Sequence, residues 1–505
     1  MPVFSFLLYV IVGLVTYLLF LLKKRLSYWQ SRGIPCEEPN WFLGNITGIQ
    51  TSRCFADIWI SYYKKFKGTG PFAGFYWFQK PAVFVLDTKL AKNILIKDFN
   101  KFVDRGFYSN PKDDPLTGEI FLLEGHKWRV MRNKLSPTFT SGKMKFMFPT
   151  VIEVGKEFIN VFEDMVKQSS LIEVKDVLAR FTVDVIGTCA FGINCCSLRD
   201  PKAEFLAMGR KSLVEFRHGP LGVAFLNSFP NLARKLHMKQ TLPDVEEFFL
   251  RIVRETVEHR EKNNIRRNDF MDMLIELKNN KLMKSEDGEM LINLTLEEVA
   301  AQAFVFLIAG FETSSTTMGF ALYELAQHED IQQMAREEVL AILEKHNQKL
   351  TYDCMREMKY LDQIISETLR LYTVLPVLNR DCVEDYEVPG NPKYVIKKGM
   401  PILIPAGAIH RDADYYPNPD IFDPENFSTE KVQQRDSIEY LPFGEGPRNC
   451  IGMRFGQMQT RIGLSLLLKN FKFTVCPETQ IPLKFDKKSY LINSESGIYL
   501  QVEHI

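Results

Sequence analysis

A short segment near the end of the chain, residues 443–452, constrains the fold more than any other stretch. It contains two glycines and a proline just before Cys450, and an apolar helical pattern begins at Met453. Glycine and proline interrupt regular structure, whereas the apolar spacing after Cys450 is typical of an amphipathic helix. The sequence therefore predicts a tight loop that leads into a helix, with Cys450 at the start of the helix.

That position favours a thiolate at Cys450, because a helix N-terminus offers unpaired N–H groups and partial positive charge. The sulfur could be a nucleophile or a metal ligand, and the plainest alternative is a buried free cysteine. A nucleophile needs a base, and zinc needs further Cys or His at short spacing; neither lies near Cys450 in the sequence. A single axial ligand to haem iron needs neither of them.

The segment resembles the haem-binding loop of the cytochrome P-450 monooxygenases at five fixed positions, which are Phe443, Gly446, Arg448, Cys450 and Gly452. The resemblance implies that Cys450 is the axial ligand of haem b, with Phe443 and Gly444 beside the cofactor. It implies a cytochrome P-450 fold that is mainly α with small β-sheets (α+β). The implied reaction inserts one oxygen atom of dioxygen into a lipophilic small molecule.

Composition is consistent with one large globular unit. The chain has 505 residues, 46% of them hydrophobic, and a formal net charge of +1. A charge so close to zero argues against nucleic-acid binding, which needs a basic excess. The nine cysteines are an odd number without regular spacing, which indicates free thiols in a reducing compartment.

The N-terminal segment predicts a membrane anchor. Residues 3–22 are uncharged and mostly apolar, and three basic residues follow directly. About 20 such residues cross a bilayer as a helix, and the basic end stays in the cytoplasm. A cleaved signal peptide would carry its charges first. We therefore expect a single-pass protein of the endoplasmic reticulum membrane that faces the cytosol. Its parts are an anchor at 1–22, a basic and proline-containing hinge at 23–45, and a haem-binding catalytic domain at 46–505.

A long helix is predicted from Thr295, which forms a capping box with Glu298, to about Ala326. Its centre, residues 309–314, combines small residues, an acid and hydroxyls. A glycine inside a helix costs about 1 kcal/mol relative to alanine, and a buried unpaired glutamate costs more. Local rule-breaking of this kind is expected at functional sites. The plain alternative is a glycine that lets helices pack closely, with the acid facing solvent.

These central residues also resemble a second signature of the same family. By that resemblance Ala309 and Gly310 make room beside the iron for dioxygen. Thr313 would hydrogen-bond the dioxygen, and Glu312 would help to relay protons to it. A threonine in a helix can also donate to the carbonyl four residues earlier and bend the helix.

Glu367 and Arg370 are three residues apart on one predicted helical face. In the family such a pair is buried and structural, and its third partner is an arginine. Here Asn426 stands at that position. An amide can both donate and accept, so the network can form in a different way.

The resemblance also implies ligands for the two haem propionates. Trp128 and Arg132 lie on one helical face, Arg380 follows the ion-pair helix, and Arg448 lies in the cysteine loop. Arg105 is a fifth candidate. Each of these residues on its own could equally be an ordinary surface residue.

The family lines its substrate pocket with three segments that are nearly all apolar or neutral here. This predicts a lipophilic substrate that is fixed by shape more than by charge. The candidate pocket residues are Phe304, Ala309, Val374, Leu375, Val377 and Gly497.

Electrons should come from outside the chain, since it has neither a Gly-rich dinucleotide loop opening a helix nor an iron–sulfur cysteine array. The resemblance implies NADPH and a cytochrome P-450 reductase, with cytochrome b5 as a further partner. Residues 135–142 look most like microsomal insect enzymes that handle foreign compounds. A basic docking surface is predicted at Arg129, Lys134, Lys143, Lys145 and Arg454.

Two alternatives stay open at this stage. One is a haem-thiolate isomerase or dehydratase that rearranges peroxides without external electrons. The other is a non-catalytic haem sensor, although no signalling domain accompanies it.

Four local features are also predicted. Residues 71–86 should form a hairpin that turns at Gln79-Lys80, and Thr88 should cap the next helix. Residues 219–230 should interrupt a helical region, either as a buried loop or as a second membrane contact. Residues 279–289 should form a surface loop.

Overall fold

A computed structural model describes residues 2–267, 269–279, 283–284, 290–291 and 293–505. The helices are α1 Pro2–Leu26, α2 Phe55–Phe66, α3 Thr88–Lys92, α4 Gly125–Leu135, α5 Ser141–Gln168, α6 Val174–Ile186, α7 Glu204–Val214, α8 Pro220–Ser228, α9 Pro230–Lys235, α10 Pro243–Asn263, α11 Phe270–Asn279, α12 Leu296–Gln327, α13 Glu329–Lys345, α14 Tyr352–Met355, α15 Lys359–Leu371, α16 Ala406–Ile409, α17 Thr429–Gln434 and α18 Met453–Asn470. The surface loop predicted at 279–289 lies largely outside the described residues.

The strands form small sheets beside the helices. They are β1 Phe72–Trp77, β2 Lys80–Val85, β3 Leu171–Glu173, β4 Met283–Lys284, β5 Met290–Leu291, β6 Leu378–Asp381, β7 Tyr386–Glu387, β8 Val395–Ile396, β9 Pro401–Ile404, β10 Phe471–Thr474 and β11 Tyr499–His504. One sheet has the order β1-β2-β9-β6 and another has the order β10-β11-β3, while β4-β5 and β7-β8 are pairs. The predicted class, mainly helical with small sheets, is confirmed.

The predicted hairpin forms with a small shift in its turn. Strands β1 and β2 are antiparallel, from Phe72 opposite Val85 to Trp77 opposite Lys80. The turn is therefore residues 78–79, one position earlier than predicted. The prediction that Thr88 caps α3 is wrong, because the Asp87 carboxylate accepts from the backbone N–H of Lys89 and is the N-cap.

Helix α1 lies outside the packed domain. Within Phe4–Leu26 its most apolar 18 residues have a mean hydropathy of 2.5 and none of them is buried inside the protein, which fits a membrane anchor, whereas Leu26 at its end is buried in the domain. The chain then packs at once, since Trp29 is fully buried and its indole donates to the Phe75 carbonyl at 3.1 Å. Gly74 is required at this contact, because a Cβ there would lie 2.2 Å from the Trp29 ring. Much of the segment predicted as a hinge is thus attached to the first sheet.

Helix α12 runs through the centre of the domain and contacts α6, α10, α15 and α18. Its predicted capping box is confirmed. The Thr295 hydroxyl accepts from the Glu298 N–H at 3.1 Å, and the Glu298 carboxylate accepts from the Thr295 N–H at 2.9 Å. With 32 residues the helix is about 48 Å long, so it links opposite sides of the domain.

The interruption predicted at 219–230 is largely helical, as α8 and the start of α9. Proline is favoured in the first turn of a helix, and each of these two short helices starts with one. A helix of nine residues is too short for its apolar period to stand out in the sequence. Leu221 is 88% exposed, whereas Leu226 packs against Tyr108. The prediction of a buried loop is therefore wrong.

Glu367 and Arg370 form a bidentate ion pair whose side chains are both 0% exposed, with N–O distances of 2.7 Å. Arg370 also donates to the carbonyls of residues 410, 419 and 421. Asn426 joins the network through an amide N–H that donates to Glu367 Oε1 at 3.2 Å. The guanidinium of Arg435 stacks over Phe427, 4.8 Å from the ring centroid, and donates to the Asn426 carbonyl.

We expect Arg370→Met to destabilise the protein far more than Asn426→Ala. Loss of Arg370 leaves the Glu367 carboxylate buried without a counter-charge, which costs about 3–5 kcal/mol. Loss of the Asn426 amide removes one hydrogen bond to a charged group, worth about 1–2 kcal/mol. Urea unfolding of both variants measures the difference, and equal losses would contradict it.

Candidate active site

The cysteine loop is a series of tight turns. The Cys450 N–H donates to the Phe443 carbonyl at 2.8 Å, and the Gly444 N–H donates to the Leu441 carbonyl at 3.1 Å. Gly446 has a φ of +73°, and a Cβ there would lie 1.9 Å from the Leu95 carbonyl oxygen. Only glycine fits both restraints. Cys450 comes three residues before α18, so the predicted loop and helix are both present.

The Cys450 thiol lies among protein groups that act on its charge. Burial raises the pKa of its thiol, against the Gly452 N–H and the charges of Arg132 and Arg105, which lower it. The side chain nevertheless has accessible surface, so protein surrounds the sulfur without covering it. Burial outweighs the helix N-terminus here, contrary to the expected thiolate. A bound metal cation reverses that balance, because a coordinating thiol is deprotonated outright.

One face of α12 is accessible near the centre of the helix. Ala309 is exposed although it lies in the middle of a mostly buried helix, and Thr313, one turn later, is partly exposed. The Thr313 hydroxyl donates to the Ala309 carbonyl at 2.6 Å. Gly310 instead faces α6, where a Cβ would lie 2.5 Å from the Ile186 side chain. Close helix packing therefore explains Gly310, and Ala309 is the small residue on the accessible face.

Glu312 is buried beside that face and is held by polar groups. Its Oε1 accepts from Lys175 Nζ at 2.7 Å and from Asn493 Nδ2 at 2.8 Å. The side chain is 11% exposed. Sequence reasoning missed Lys175 and Asn493, because nothing in their own neighbourhoods signals a contact with α12.

Four arginines converge near the cysteine loop. Arg448 is fully buried over the Trp128 ring, 4.2 Å from its centroid, and donates to the carbonyls of Val103 and Leu123 at 2.8 and 2.6 Å. Arg132 donates to the Asn449 carbonyl and side chain at 2.9 and 2.7 Å. These two arginines therefore hold the loop mainly through neutral oxygen acceptors. Arg448 Nη2 also lies 3.7 Å from Asp104 Oδ1, so Arg448 has few donors to spare for a propionate.

The other two arginines are less well paired. Arg105 donates to the carbonyls of Phe121 and Arg448, both at 3.0 Å. Arg380 donates to the Asn379 carbonyl at 2.8 Å, and its buried Nε has no partner among the residues that the structure describes. Burial, then the charges of Arg105 and Arg448, lower the pKa of Arg380 well below its usual range. This arrangement fits a ligand that brings negative charge, as two propionates would.

Glu119 is a further ionisable group of this region that the sequence did not single out. It is buried, and burial raises its pKa to about 7 against the Phe121 N–H and the Arg105 charge, which lower it. Its carboxylate accepts from the backbone of residues 121 and 122. Glu119 therefore folds its own loop and only partly offsets the arginine charges.

The structure buries several of the predicted pocket residues wholly or partly. Val374 is 7% exposed and its carbonyl accepts from the Ile492 N–H, one residue before Asn493. Leu375 and Phe304 are partly buried, and Phe304 packs on the Phe249 ring with centroids 5.0 Å apart.

Two other predicted pocket residues lie elsewhere. Val377 is 2% exposed in the core beside the four-stranded sheet. Gly497 packs against Glu173 at the start of α6, where a Cβ would be 3.0 Å from Glu173 Cγ. Neither position is beside Ala309 on α12.

The predicted basic docking surface is only partly present. Arg129, Lys145 and Arg454 are exposed and Lys143 is partly buried. Lys134 is buried, at 9% exposure, so its placement on that surface is wrong.

Gln459 is a second residue that sequence reasoning missed. It is fully buried on α18, and its amide donates to the Gly310 carbonyl at 2.7 Å and to the Ser314 hydroxyl. The helix that follows Cys450 is thus tied to the centre of α12. In the sequence, a glutamine on an otherwise apolar helix face was the signal that could have indicated this contact.

The accessible cysteine after a glycine loop, the cluster of buried arginines and the accessible face of α12 together fit haem. Comparison with known proteins agrees. The sequence model of the Cytochrome P450 family matches residues 34–502. The chain is 66% identical to Cytochrome P450 6a9 of Drosophila melanogaster over 505 residues, with both chains fully covered. It is 50% identical to Cytochrome P450 6A1 of Musca domestica over 504 residues, covering 99% of this chain and 98% of the relative.

A third relative, Cytochrome P450 6a8 of Drosophila melanogaster, is 54% identical over 497 residues, with 98% of each chain covered. These matches confirm the resemblance to insect members that the sequence indicated. Since the match extends over nearly the whole chain, including the loop at Cys450 and the centre of α12, the chain belongs to the cytochrome P450 family and is a haem-containing monooxygenase.

Proposed function

We propose that this monooxygenase oxidises lipophilic small molecules, among them foreign compounds, with NADPH-derived electrons from a separate reductase and with cytochrome b5 as a further donor. The observation that carries the proposal is the accessible Cys450 in the glycine loop before α18, within the same domain as the accessible Ala309–Thr313 face of α12. The apolar candidate pocket residues Phe304, Val374 and Leu375 favour a lipophilic substrate.

Cys450 is the proposed iron ligand, and Arg105, Arg132 and Arg380 are the proposed propionate ligands. Phe443, Gly444 and Trp128 would line the cofactor site. When bound, haem supplies the chemistry of dioxygen cleavage, in which one oxygen atom goes to the substrate and the other leaves as water. Arg448, whose donors are occupied by carbonyls, would mainly hold the loop in place.

Thr313 and Glu312 are proposed to handle protons. The Thr313 hydroxyl hydrogen is engaged by the Ala309 carbonyl at 2.6 Å, so its lone pairs can accept a hydrogen bond on the accessible face. Glu312 is adjacent in sequence and keeps part of its side chain in reach of water. The apolar surroundings exclude bulk water from the reacting groups.

The proposed location is the endoplasmic reticulum membrane, with the catalytic domain in the cytosol. Helix α1 is long and apolar enough to span a bilayer, and three basic residues lie in its last turn. The exposed apolar residues Leu221, Phe229 and Leu232 of α8 and α9 support a second contact with the membrane.

The carbon monoxide spectrum of the reduced protein tests the iron ligand. We expect the wild type to show the red-shifted Soret band of thiolate-ligated haem, and Cys450→Ser to lose it because an alcohol does not replace the thiolate. Cys196→Ser, at an exposed cysteine, is the control and should keep the band. A Cys450→Ser protein that keeps it would rule out Cys450 as the ligand.

Arg380→Leu should have opposite effects on the free protein and on haem binding. The free protein should become more stable to urea, because a buried guanidinium with an unpaired N–H is removed. Haem affinity should fall about 10- to 100-fold, the equivalent of one lost hydrogen bond to a charged group. Haem transfer to an excess of apomyoglobin measures the affinity.

Arg199→Gln is the matched control for this experiment, because Arg199 is 65% exposed and paired with Glu157. It should change neither quantity. Unchanged haem affinity in Arg380→Leu would remove Arg380 from the propionate site.

Thr313→Val should lower the product formed per NADPH consumed, because it keeps the side-chain shape and removes the hydroxyl. We expect the rate of product formation to fall by roughly 10²-fold. The assay uses purified reductase and a panel of fluorogenic alkoxycoumarins. A wild-type ratio in the variant would contradict the role of Thr313. Turnover of a lipid hydroperoxide without reductase or NADPH would instead identify an isomerase or dehydratase.

A further inference from the structure

Glu312 is held by donors from three separate parts of the chain. Its Oε1 accepts from Lys175 Nζ at 2.7 Å, from Asn493 Nδ2 at 2.8 Å and from Thr316 Oγ1 at 3.5 Å. Thr316 is one turn further along α12. Lys175 lies in the first turn of α6, and Asn493 lies in the segment before β11. Tertiary contacts therefore fix this acid of the central helix through one of its two oxygens.

The second oxygen of the carboxylate is available. No described residue donates to Glu312 Oε2, and the side chain retains 11% exposure. A carboxylate has about four lone-pair sites, of which those on Oε2 remain here. Water can thus exchange a proton with Oε2 while Oε1 stays in the ion pair.

Lys175 is itself held along its whole length. Its backbone N–H donates to the Glu173 carboxylate at 3.1 Å, which caps α6. Its stem lies along α12 at Gly319, where a Cβ would be 3.7 Å from Lys175 Cδ. Its side chain is 13% exposed. Glu173 and Asp176, on either side in sequence, line a surface groove of about 440 Å³. Lys175 is therefore a partly accessible partner of the acid, close in sequence to residues that line a groove.

We propose that Lys175 is a positioning residue for the oxidation reaction. Together with Asn493 it fixes Oε1 of Glu312 and so orients Oε2 as the oxygen that takes a proton from water and releases it towards the accessible Ala309–Thr313 face of α12. This inference rests on the proposed function, in which Glu312 supplies protons. Conversion of one atom of dioxygen to water, with the other inserted into substrate, consumes two electrons from NADPH and two protons from solvent. Glu312 must therefore be reloaded from water during turnover.

The chemistry of lysine and arginine provides the discriminating substitutions. Lys175→Met removes the charge and leaves a nearly buried carboxylate without its cation, which frees its orientation. Lys175→Arg keeps the charge and the donors. A positioning role is lost in the first variant and restored in the second. Lys156→Met is the control, because Lys156 is 65% exposed in an ion pair with Glu153 on α5.

The experiment uses the full-length haem protein with reductase and an alkoxycoumarin substrate. Three quantities are measured, namely the carbon monoxide spectrum, the product formed per NADPH consumed and the solvent deuterium isotope effect on product formation. We expect every variant to keep the thiolate band. Lys175→Met should lower the product ratio severalfold and raise the isotope effect. Lys175→Arg should recover most of both, and Lys156→Met should match the wild type.

A readout independent of activity is urea unfolding of Lys175→Met, Glu312→Gln and the double variant. Because the two side chains are in contact, the loss in the double variant should be smaller than the sum of the single losses. If Lys175→Met fails to bind haem, Asn493→Leu replaces it with the same expected changes, since it removes a donor and leaves the ion pair.

Wild-type product ratio and isotope effect in Lys175→Met, or in Asn493→Leu when it is used, would overturn the inference. So would an Arg variant as impaired as the Met variant. A wild-type protein that lacks the thiolate band or forms no product with NADPH would instead overturn the proposed function, and that outcome is visible before any variant is compared.

Discussion

The close packing of α12 between α6 and α18 is the constraint on which the active site depends. A Cβ on Gly310 would lie 2.5 Å from the Ile186 side chain, and a Cβ on Gly463 would lie 2.5 Å from Met318 Sδ. Two small residues thus set how near the neighbouring helices can approach α12. Since those helices cover two sides of α12, the accessible face at Ala309 is a result of helix packing rather than of a separate loop.

Buried charged side chains occur in two different settings in this protein, one fully paired and one incompletely paired. Glu367 and Arg370 are wholly buried and satisfy each other together with backbone carbonyls. Arg380 is also buried, but within the described part of the chain its Nε has no partner, and the charges of Arg105 and Arg448 act against its own. The first arrangement belongs to the fold alone. The second opposes folding until an anion binds, so a ligand with negative charge would stabilise the folded state through linkage.

The unusual residues at the centre of α12 have separate physical explanations. Gly310 provides close packing against α6, Thr313 lies on the accessible face, and Glu312 is fixed by an ion pair with Lys175. Gly310 therefore serves helix packing, whereas Thr313 and Glu312 are the two residues for which a role in proton transfer is proposed. All three residues belong to one sequence pattern. Their different roles become clear only from the residues that each of them contacts in the structure.

The sequence by itself determined the features that depend on a few adjacent residues. The apolar anchor, the β1–β2 hairpin, the Thr295 capping box and the loop before α18 all follow from local periodicity, glycine or proline, and capping chemistry. Such features were predicted to within one or two residues, and the loop at Cys450 was sufficient to indicate the family. The general location of the site, although not the orientation of its side chains, could therefore be predicted.

Only the tertiary structure decided which groups each side chain meets. Lys175 and Glu312 are 137 residues apart in the chain, Lys134 is buried where a surface cation was expected, and Arg448 points to carbonyls rather than outward. Burial and pairing depend on segments distant in sequence, and these leave no periodic trace near the residue itself. The sequence pattern determines where helices and strands form. The packing of those helices and strands decides whether a given charge is paired, exposed or available to a ligand.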